Sequence, residues 1–297
     1  MKVFAGEFEK IYDPSFEEKT SWYINDHCLI YGKDEWHLFG ITHEEPCDPL
    51  NEKCCAHSIC DTLTGTYRKQ MPFPIVADPN RGEAHFWAPH VIEANEVYYM
   101  FWCAGSLSDH MTYQIKVSTS LDLYHWEHNS SSNPIVIDGY DARDPMVVKI
   151  GGKWILYYTA TSSPNYGNHV VKCVESEDLI NWGNPRTVFT DPSVGDVGGP
   201  CESPFVVYEQ EKYYLFICQR DGCYDKTAIY ESEDPFHFVL DRCVGDIPAH
   251  AAEVVKDGDG KYYVTRAGWG RGGVYIAPLF FDSSSRFQKQ NKEEGLG

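Results

Sequence analysis

Three carboxylates stand just ahead of short apolar runs at widely separated points of the chain. Asp26 precedes "CLIY", Asp144 precedes "MVV" and Glu202 precedes "PFVV". A solvated turn would explain each acid separately, because Asp and Pro initiate turns through local hydrogen bonds. If strands instead delivered all three to one pocket, their mutual repulsion would raise the pKa of at least one of them. That arrangement suits a site that needs one protonated and one ionised carboxyl.

Whether these carboxylates meet depends on the fold, which the apolar runs predict. Helical periodicity is almost absent, and short apolar and aromatic runs alternate with clusters of Gly, Asp, Asn and Pro, which is an all-β pattern. Five runs are alike: "DEWHLFGI", "NEVYYMFW", "GGKWILYY", "EKYYLFIC" and "DGKYYVTR". Their shared aromatic positions are Trp36, Tyr98, Trp154, Tyr213 and Tyr262. Five units of about 50 residues with about four strands each predict a five-bladed β-propeller.

The repeats occupy nearly the whole chain, from about Trp22 to Leu279, so we predict a single domain over residues 1–297. The blades are expected at approximately 22–70, 84–127, 138–183, 197–240 and 248–280. We expect the polar tail "DSSSRFQKQNKEEGLG" to lie on the surface or to close part of the last blade. The innermost strand of each propeller blade lines the central channel, so the residues that open these strands should converge on one axial pocket.

The residues that open the five expected inner strands differ from blade to blade. A repeat kept only for stability would retain one residue type there, so this variety predicts a site. Besides the three carboxylates, the pocket candidates are Trp87, His90, Arg143, His250, Glu253, Arg266, Trp22 and Trp269. By contrast, the acids in "STSLDLYHW", "ESEDLINW" and "ESEDPFHF" recur at equivalent outer positions, as structural turn residues do. We assign these recurring acids no chemistry.

Four motifs, "WYINDHCLIY", "FWAPHV", "ARDPMVV" and "CESPFVV", stand in this order at the starts of the first four blades. Together they resemble motifs of the five-bladed propeller glycoside hydrolases, namely the family 43 arabinofuranosidases and xylosidases and the related family 32 fructosidases. The resemblance implies that Asp26 is the base or nucleophile and that Glu202 is the general acid. Asp144 then tunes the acid and stabilises the transition state, while Trp87 offers a flat ring for sugar stacking.

The chain also departs from both families. His27 and Cys28 follow Asp26 where the fructosidase motif reads N-D-P-N, and Arg143 is unusual for family 43. The β-sandwich that follows the propeller in fructosidases has no counterpart in this sequence. We therefore expect a divergent branch between the two groups, in which Arg143 either holds a sugar hydroxyl or orients Asp144.

Two reaction courses follow from the resemblance. Under the family 43 pattern Asp26 activates water and the anomeric configuration inverts, whereas under the family 32 pattern Asp26 attacks directly and the configuration is retained. We expect an inverting glycosidase that cleaves terminal pentose or furanose units, of the arabinofuranoside or xyloside type, from small oligosaccharides. The alternatives are a retaining β-fructofuranosidase-like hydrolase or transferase, and a non-catalytic sugar-binding propeller. In either enzyme, the apolar neighbours Pro204 and Phe205 and the nearby charge of Asp144 are expected to raise the pKa of Glu202.

Composition and motifs limit the partners and cofactors. The formal net charge of −19, from 44 acids and 25 bases, argues against nucleic acid and anionic membranes. The cluster of Cys47, Cys54, Cys55 and Cys60 matches no zinc pattern of paired cysteines. We expect no required cofactor. His250 resembles the axial histidine that contacts a cation or its waters in many family 43 enzymes, which implies a structural calcium ion near the propeller axis.

The N-terminus "MKVFAGEFEKIYDPSFEEKT" lacks an apolar signal core and carries acids early. This pattern does not fit a secretory leader. Of the 11 cysteines, four lie in apolar strand-like runs, where a thiol behaves as a small hydrophobic group, namely Cys28, Cys103, Cys173 and Cys218. We therefore predict a cytoplasmic protein, and the alternative is a secreted protein from which a leader has been removed.

Overall fold

The computed structural model describes residues 1–106, 108–128, 135–136, 141–164, 166–196 and 199–283. Within these residues there are β-strands and four short 3₁₀-helices but no α-helix. The 3₁₀-helices are Pro49–Asn51, Pro79–Arg81, Arg220–Gly222 and Leu240–Arg242. Nothing in the described part of the chain forms a helix long and apolar enough to cross a membrane.

The strands form five antiparallel sheets, which confirms the predicted all-β, five-bladed propeller. The chain begins with β1 (Lys2–Ala5) and β2 (Glu9–Tyr12). Blade one contains β3 (Trp22–Gly32), β4 (Glu35–Glu44), β5 (Cys54–Cys60) and β6 (Arg68–Lys69). Blade two contains β7 (Trp87–Ala94), β8 (Val97–Ser106), β9 (Asp109–Ser120) and β10 (Glu127–His128).

The remaining three blades follow in chain order. Blade three contains β11 (Arg143–Ile150), β12 (Lys153–Thr161), β13 (Gly167–Ser176) and β14 (Arg186–Gly195). Blade four contains β15 (Glu202–Glu209), β16 (Lys212–Cys218), β17 (Thr227–Ser232) and β18 (Cys243–Ile247). Blade five contains β19 (His250–Lys256), β20 (Tyr262–Ala267) and β21 (Val274–Asp282). The outer strands β14 and β18 lie beyond the expected blade ends, because their mostly exposed residues form no apolar run.

Blade five is completed from the other end of the chain. Strand β21 pairs with β1 from Lys2↔Asp282 to Ala5↔Leu279, and it also pairs with β2. The repeats predicted from the sequence begin at about Trp22, so this closure was not predicted. The polar tail, which was expected on the surface or in this blade, lies outside the described residues from 284 onward. The extent of the single domain over residues 1–297 therefore stays a prediction.

Two-residue turns explain the regular spacing of the inner hairpins. In blades one to four both turn residues have positive φ, and the pairs are Lys33-Asp34, Asn95-Glu96, Gly151-Gly152 and Gln210-Glu211. Such turns match the right-handed twist of the strands they join. This is the physical origin of the polar residues and glycines that precede the aromatic runs of these four blades.

Every inner strand carries a β-bulge at the same place. The register shifts fall between Ile24 and His27, Trp87 and His90, Arg143 and Met146, Glu202 and Phe205, and His250 and Glu253. At each shift one extra residue of the inner strand faces the neighbouring strand. A bulge bends its strand and changes the direction of its side chains. Five bulges around one axis therefore determine which side chains reach the centre of the propeller.

Candidate active site

A pocket of about 520 Å³ opens at the propeller axis and draws residues from all five blades. Its lining is Asn25, Asp26, Ile41, Pro49, Glu52, Trp87, Arg143, Asp144, Glu202, Gln219, Tyr224, His250 and Trp269. The pocket thus brings together the three expected carboxyls and four further candidates, Trp87, Arg143, His250 and Trp269. Asn25, Ile41, Pro49, Glu52, Gln219 and Tyr224 were not predicted.

The bulges explain how dissimilar residues reach the same pocket. Trp87, Arg143, Glu202 and His250 occupy equivalent positions, each directly before the bulge of its blade. Asp144 is the first residue inside a bulge, with φ of 54°, and Asp26 is the second residue inside another. The three carboxylates therefore occupy three different positions relative to the bulge. Sequence spacing could not reveal this difference.

Arg143 is a buried cation surrounded by acids, with only 5% of its surface exposed. Its Nη1 donates to Asp141, its Nη2 donates to Glu202 Oε1 at 3.2 Å, and its Nε lies 3.5 Å from Asp144 Oδ2. Burial alone would lower the pKa of Arg143, but these three carboxyls raise it well above its usual range. Arg143 therefore stays charged and links the blade-three acids to the blade-four acid.

Asp26 is held in its ionised form. Ser203 Oγ donates to its Oδ1 at 2.5 Å, and His250 Nε2 lies 3.7 Å from its Oδ2. Burial opposes the charge, but His250 and Ser203 outweigh it and lower the pKa of Asp26. Burial also lowers the pKa of His250, while Cys218 and Asp26 raise it, and the net result is well above the usual value. Asp26 and His250 therefore form an ion pair at the pocket floor.

Asp144 has the opposite tendency. Its Oδ2 accepts the backbone N–H of Ser203 at 3.0 Å, and the residue is 8% exposed. Burial and the charges of Asp26 and Glu202 raise the pKa of Asp144 to about 7, although Arg143 lowers it. Burial, reinforced by the two neighbouring carboxyls, thus brings the pKa of Asp144 close to neutral pH.

Glu202 faces the open part of the pocket. Its Oε1 accepts from Arg143, and its Oε2 accepts from Gln219 Nε2 at 2.5 Å. The Glu202 side chain is 18% exposed, compared with 14% for Asp26 and 9% for Asp144. Glu202 is therefore the carboxyl of these three that a ligand in the pocket meets most directly.

Aromatic rings form one wall of the pocket. Tyr224 stacks on His250 with ring centroids 3.8 Å apart, and Trp269 continues the stack 5.7 Å from Tyr224. The Tyr224 hydroxyl donates to Asn25 Oδ1 at 3.2 Å and accepts the backbone N–H of Trp269 at 3.0 Å. Sequence reasoning missed Tyr224 because it follows the 3₁₀-helix Arg220–Gly222 in a loop rather than opening a strand.

Glu52 is a fourth carboxyl in the pocket, and the sequence analysis missed it. It ends the 3₁₀-helix Pro49–Asn51 between β4 and β5 and is 2% exposed. Its Oε1 accepts Trp269 Nε1 at 3.0 Å and the Tyr23 hydroxyl at 3.2 Å. Burial, together with the charge of Asp26, raises the pKa of Glu52 to about 7. In the sequence it is an ordinary acid in the loop "DPLNEK", which gave no signal of burial.

Two predicted residues, His90 and Glu253, lie below the pocket. Each follows the bulge of its strand, and His90 Nδ1 is 3.8 Å from Glu253 Oε2. His90 Nε2 lies 3.1 Å from the carbonyl oxygen of Val147, and Glu253 lines a smaller cavity that shares Asp26 and Asp144 with the main pocket. Burial raises the pKa of Glu253 to about 7 in spite of His90. Neither residue lines the main pocket.

Trp22 and Arg266 do not line the pocket either, which corrects their prediction as pocket residues. Trp22 lies at the outer end of β3 beside Phe73, with ring centroids 6.2 Å apart. The Arg266 guanidinium lies 4.0 Å from the centre of the Phe8 ring and donates to the carbonyl oxygen of Pro248 at 2.6 Å. Successive residues of a strand face opposite sides, so Arg266 points away from the face that its neighbour Ala267 occupies.

The residues at the axis do not fit the calcium ion that the resemblance implied. Among the described residues, Glu202, Cys218 and His250 form the one group of possible metal ligands whose atoms lie within 4.8 Å of one another. A thiol and an imidazole are softer ligands than the oxygen atoms that Ca²⁺ prefers. Both His250 nitrogens have other neighbours, Asp26 and the carbonyl oxygen of Tyr224 at 3.2 Å. The cysteine cluster around Cys54 likewise forms no such group within the described chain.

Carboxyls that approach one pocket from different sides are the machinery of glycoside hydrolysis. The fold and the pocket together define a propeller glycoside hydrolase. Residues 16–204, more than half of the chain, match the family described as glycosyl hydrolases family 32 N-terminal domain. The chain belongs to this family and is a glycosidase.

Solved structures share the fold at low sequence identity. An endo-arabinase from Bacteroides thetaiotaomicron is 15% identical with a TM-score of 0.69, covering 93% of this chain and 99% of that one. A thermostable family-43 glycoside hydrolase is 16% identical with a TM-score of 0.66, and the coverage is 92% and 94%. A GH43_1 enzyme from Xanthomonas citri, complexed with xylotriose, is 15% identical with a TM-score of 0.65 and 89% coverage of both chains. The TM-scores show a shared fold, and at identities this low the likeness shows the fold alone.

Proposed function

We propose that this glycosidase removes terminal pentose or furanose units, of the arabinofuranoside or xyloside type, from small oligosaccharides. The observation that carries the proposal is the pairing of an ionised carboxyl with a pocket-facing one. The pKa of Asp26 is lowered through His250 and Ser203 against the effect of burial, while Glu202 opens into the pocket between Arg143 and Gln219. Glycoside hydrolysis requires this division between an acid and a base or nucleophile.

In the proposed reaction, Glu202 donates a proton to the leaving oxygen as the anomeric C–O bond breaks. Asp26 accepts a proton from a water molecule, whose oxygen bonds to the anomeric carbon from the opposite side of the ring. Proton exchange with solvent then restores both carboxyls. The product has the inverted configuration.

Asp144 has a positioning role in this proposal. It shares Arg143 with Glu202, and Ser203 connects it to Asp26 because the Ser203 backbone N–H donates to Asp144 while the Ser203 hydroxyl donates to Asp26. Through these links Asp144 orients both reacting carboxyls. Its negative charge, when present, also stabilises the positive charge that develops on the sugar ring.

The sugar class rests on the shape and chemistry of the pocket and on the structural relatives. A pocket of about 520 Å³ with Trp87 and Trp269 in its lining suits a small oligosaccharide, because flat rings pack against apolar sugar faces. Relatives of the same fold are described as an endo-arabinase and as an enzyme complexed with xylotriose. Both descriptions support a pentose-containing substrate.

A second candidate is a retaining β-fructofuranosidase-like hydrolase or transferase. The family 32 match over residues 16–204 favours it, as does the Arg143-Asp144-Pro145 sequence. Here Asp26 would bond to the anomeric carbon itself, and water or another sugar would then displace it. The non-catalytic propeller is not proposed, because the chain belongs to a glycosidase family.

Proton NMR of the anomeric signals separates the candidates during hydrolysis of aryl arabinofuranosides, aryl xylosides and sucrose-type fructosides. We expect a pentoside to be hydrolysed with an inverted first product, and we expect Glu202→Gln to abolish this turnover on substrates with poor leaving groups. A retained product from a fructoside would replace the proposal with the second candidate. Absence of turnover on the whole panel would refute both.

The cellular location stays a prediction. All eleven cysteines are free thiols. Eight of them lie in a β-strand or directly beside one and are buried or only partly exposed. Free thiols persist in reducing compartments, which supports a cytoplasmic enzyme that acts on imported oligosaccharides. Fractionation of cells that produce the full-length protein tests this prediction.

A further inference from the structure

Glu52 is the pocket carboxyl that the proposed reaction does not use. It is held firmly from both sides, since its backbone carbonyl accepts the N–H of Phe86 at 2.9 Å and its Oε1 accepts from Tyr23 and Trp269. A buried carboxyl costs free energy unless its hydrogen bonds are satisfied. An acid kept in this position therefore needs an explanation beyond the stability of the fold.

One oxygen of Glu52 remains available to a ligand. Tyr23 and Trp269 both donate to Oε1, and within the described residues Oε2 accepts no hydrogen bond. The Trp87 indole N–H is near enough to favour the charged form of Glu52, but it forms no hydrogen bond of normal geometry and is buried. A carboxyl oxygen and an indole N–H thus share one part of the pocket, and both can bond to a hydroxyl group.

We propose that Glu52 is a specificity-determining residue that binds one ring hydroxyl of the terminal sugar, with Trp87 and Trp269 on either side of that hydroxyl. This inference rests on the proposed function, because it assumes that a sugar occupies the pocket. A sugar with the hydroxyl in the right configuration gains the hydrogen bond. A sugar without it leaves a buried polar group unpaired, and sites of this kind discriminate strongly.

The protonation of Glu52 suits this role. Because its pKa is raised to about 7, Glu52 carries a proton over much of the neutral range and can then both donate and accept hydrogen bonds. A glutamine side chain has the same two capacities. Glu52→Gln is therefore a conservative variant that keeps the contact, whereas Glu52→Ala removes it.

The test combines these variants with monodeoxy sugars. Affinities of the free monosaccharides for wild type, Glu52→Gln and Glu52→Ala are measured by tryptophan fluorescence, and kcat and KM are measured on the matching aryl glycosides. We expect Glu52→Ala to weaken binding and raise KM by about tenfold to a hundredfold, with a smaller change in kcat. Glu52→Gln should stay within about threefold of wild type. One deoxy position should abolish the difference between wild type and Glu52→Ala.

Glu209→Ala is the matched control. Glu209 accepts the Tyr262 hydroxyl at 2.7 Å, much as Glu52 accepts Tyr23, but it does not line the pocket. Its loss should change stability without changing sugar affinity. Thermal unfolding of all variants separates a folding defect from a binding defect.

The outcomes distinguish the two levels of the proposal. If Glu52→Ala weakens binding of every deoxy sugar equally, Glu52 contacts no particular hydroxyl and the inference is wrong. If wild type binds a monosaccharide with this coupling but hydrolyses no pentoside or fructoside, the inference holds and the proposed function fails. If wild type neither binds any of the monosaccharides nor hydrolyses any substrate of the panel, both are refuted.

Discussion

The acids of the outer turns and the acids at the propeller axis differ in where their hydrogen-bond partners come from. At the outer turn of blade three, Asp178 Oδ1 accepts the backbone N–H groups of Ile180 at 2.9 Å and Asn181 at 2.7 Å. Asp122 makes the same contacts with Tyr124 and His125 in blade two. At the axis, Asp26 instead binds Ser203 of blade four, and Glu202 binds Arg143 of blade three.

The difference separates structural acids from candidate catalytic ones. The turn acids accept hydrogen bonds from residues no more than three positions away, and they lie in solvent. The backbone N–H groups and the side chain of Asn181 lower the pKa of Asp178. The axial acids depend on partners that only the closed propeller brings near, and burial raises the pKa of Asp144 to about 7. An acid that repeats with its local context therefore belongs to the repeat. An acid that does not recur with its local context in the other blades is a candidate for chemistry.

The strongest test of this comparison replaces one acid from each set by its isosteric amide. Asp26→Asn should lower kcat by about a thousandfold or more, because the variant can neither accept a proton nor attack the anomeric carbon. Asp178→Asn should leave kcat and KM unchanged. Steady-state kinetics on the best substrate from the panel above measure both.

A thermal melt of Asp26→Asn serves as the folding control, since His250 loses its charged partner in this variant. If a well-folded Asp26→Asn protein retained more than about a tenth of wild-type activity, Asp26 would have no place in the reaction. If Asp178→Asn lost activity as severely, the division between the two sets of acids would be wrong.

The same comparison explains how much of the molecule could be predicted. Five blades followed from the sequence because each hairpin repeats a turn and an aromatic run, such as Gly151-Gly152 before Trp154. Asp26, Asp144 and Glu202 could be found because each stands just ahead of an apolar run of an inner strand. The closure by β1 and β2 could not, since their partner β21 lies at the other end of the chain and short edge strands carry little apolar pattern.

The errors at the site have a geometric cause. The bulges decide which residues point into the pocket, and nothing in the spacing marks them. Hence His90 and Glu253 lie below the pocket rather than in its lining, and Arg266 points to the other face of its strand. Glu52 and Tyr224 were missed because they enter the pocket from loops, whose paths depend on contacts with other blades.

A second prediction concerns Glu253, an axial acid without a proposed catalytic role. Its pKa is raised to about 7 by burial, so the folded protein holds a proton that the unfolded chain releases between about pH 4.5 and 7. Wild type therefore loses stability relative to Glu253→Gln as the pH rises through this window. We expect a relative gain for the variant of about 2–3 kcal/mol between about pH 5 and 8, measured by urea unfolding.

For Asp178→Asn, the stability relative to wild type should change with pH in the opposite direction. A lowered pKa contributes stability above the unfolded value, and this contribution is lost as the pH falls. The variant should therefore differ from wild type at neutral pH and approach it in acid. A Glu253→Gln protein whose stability relative to wild type did not change with pH would show that Glu253 is ionised in the folded state throughout.

The smallest expected effect tests whether the outer turns are equivalent units. Ser120 Oγ accepts the N–H of Leu123 at 2.9 Å, and Ser176 Oγ accepts the N–H of Leu179 at the same distance. Each serine is buried, so replacement by alanine leaves that N–H without this acceptor and should cost about 1 kcal/mol of unfolding free energy. The losses should be equal because the two turns make the same contact. They should be additive within about 0.5 kcal/mol because the turns lie in different blades, and kcat should be unchanged. Unequal losses in urea unfolding would mean that neighbouring blades, rather than the repeat itself, determine the stability of these turns.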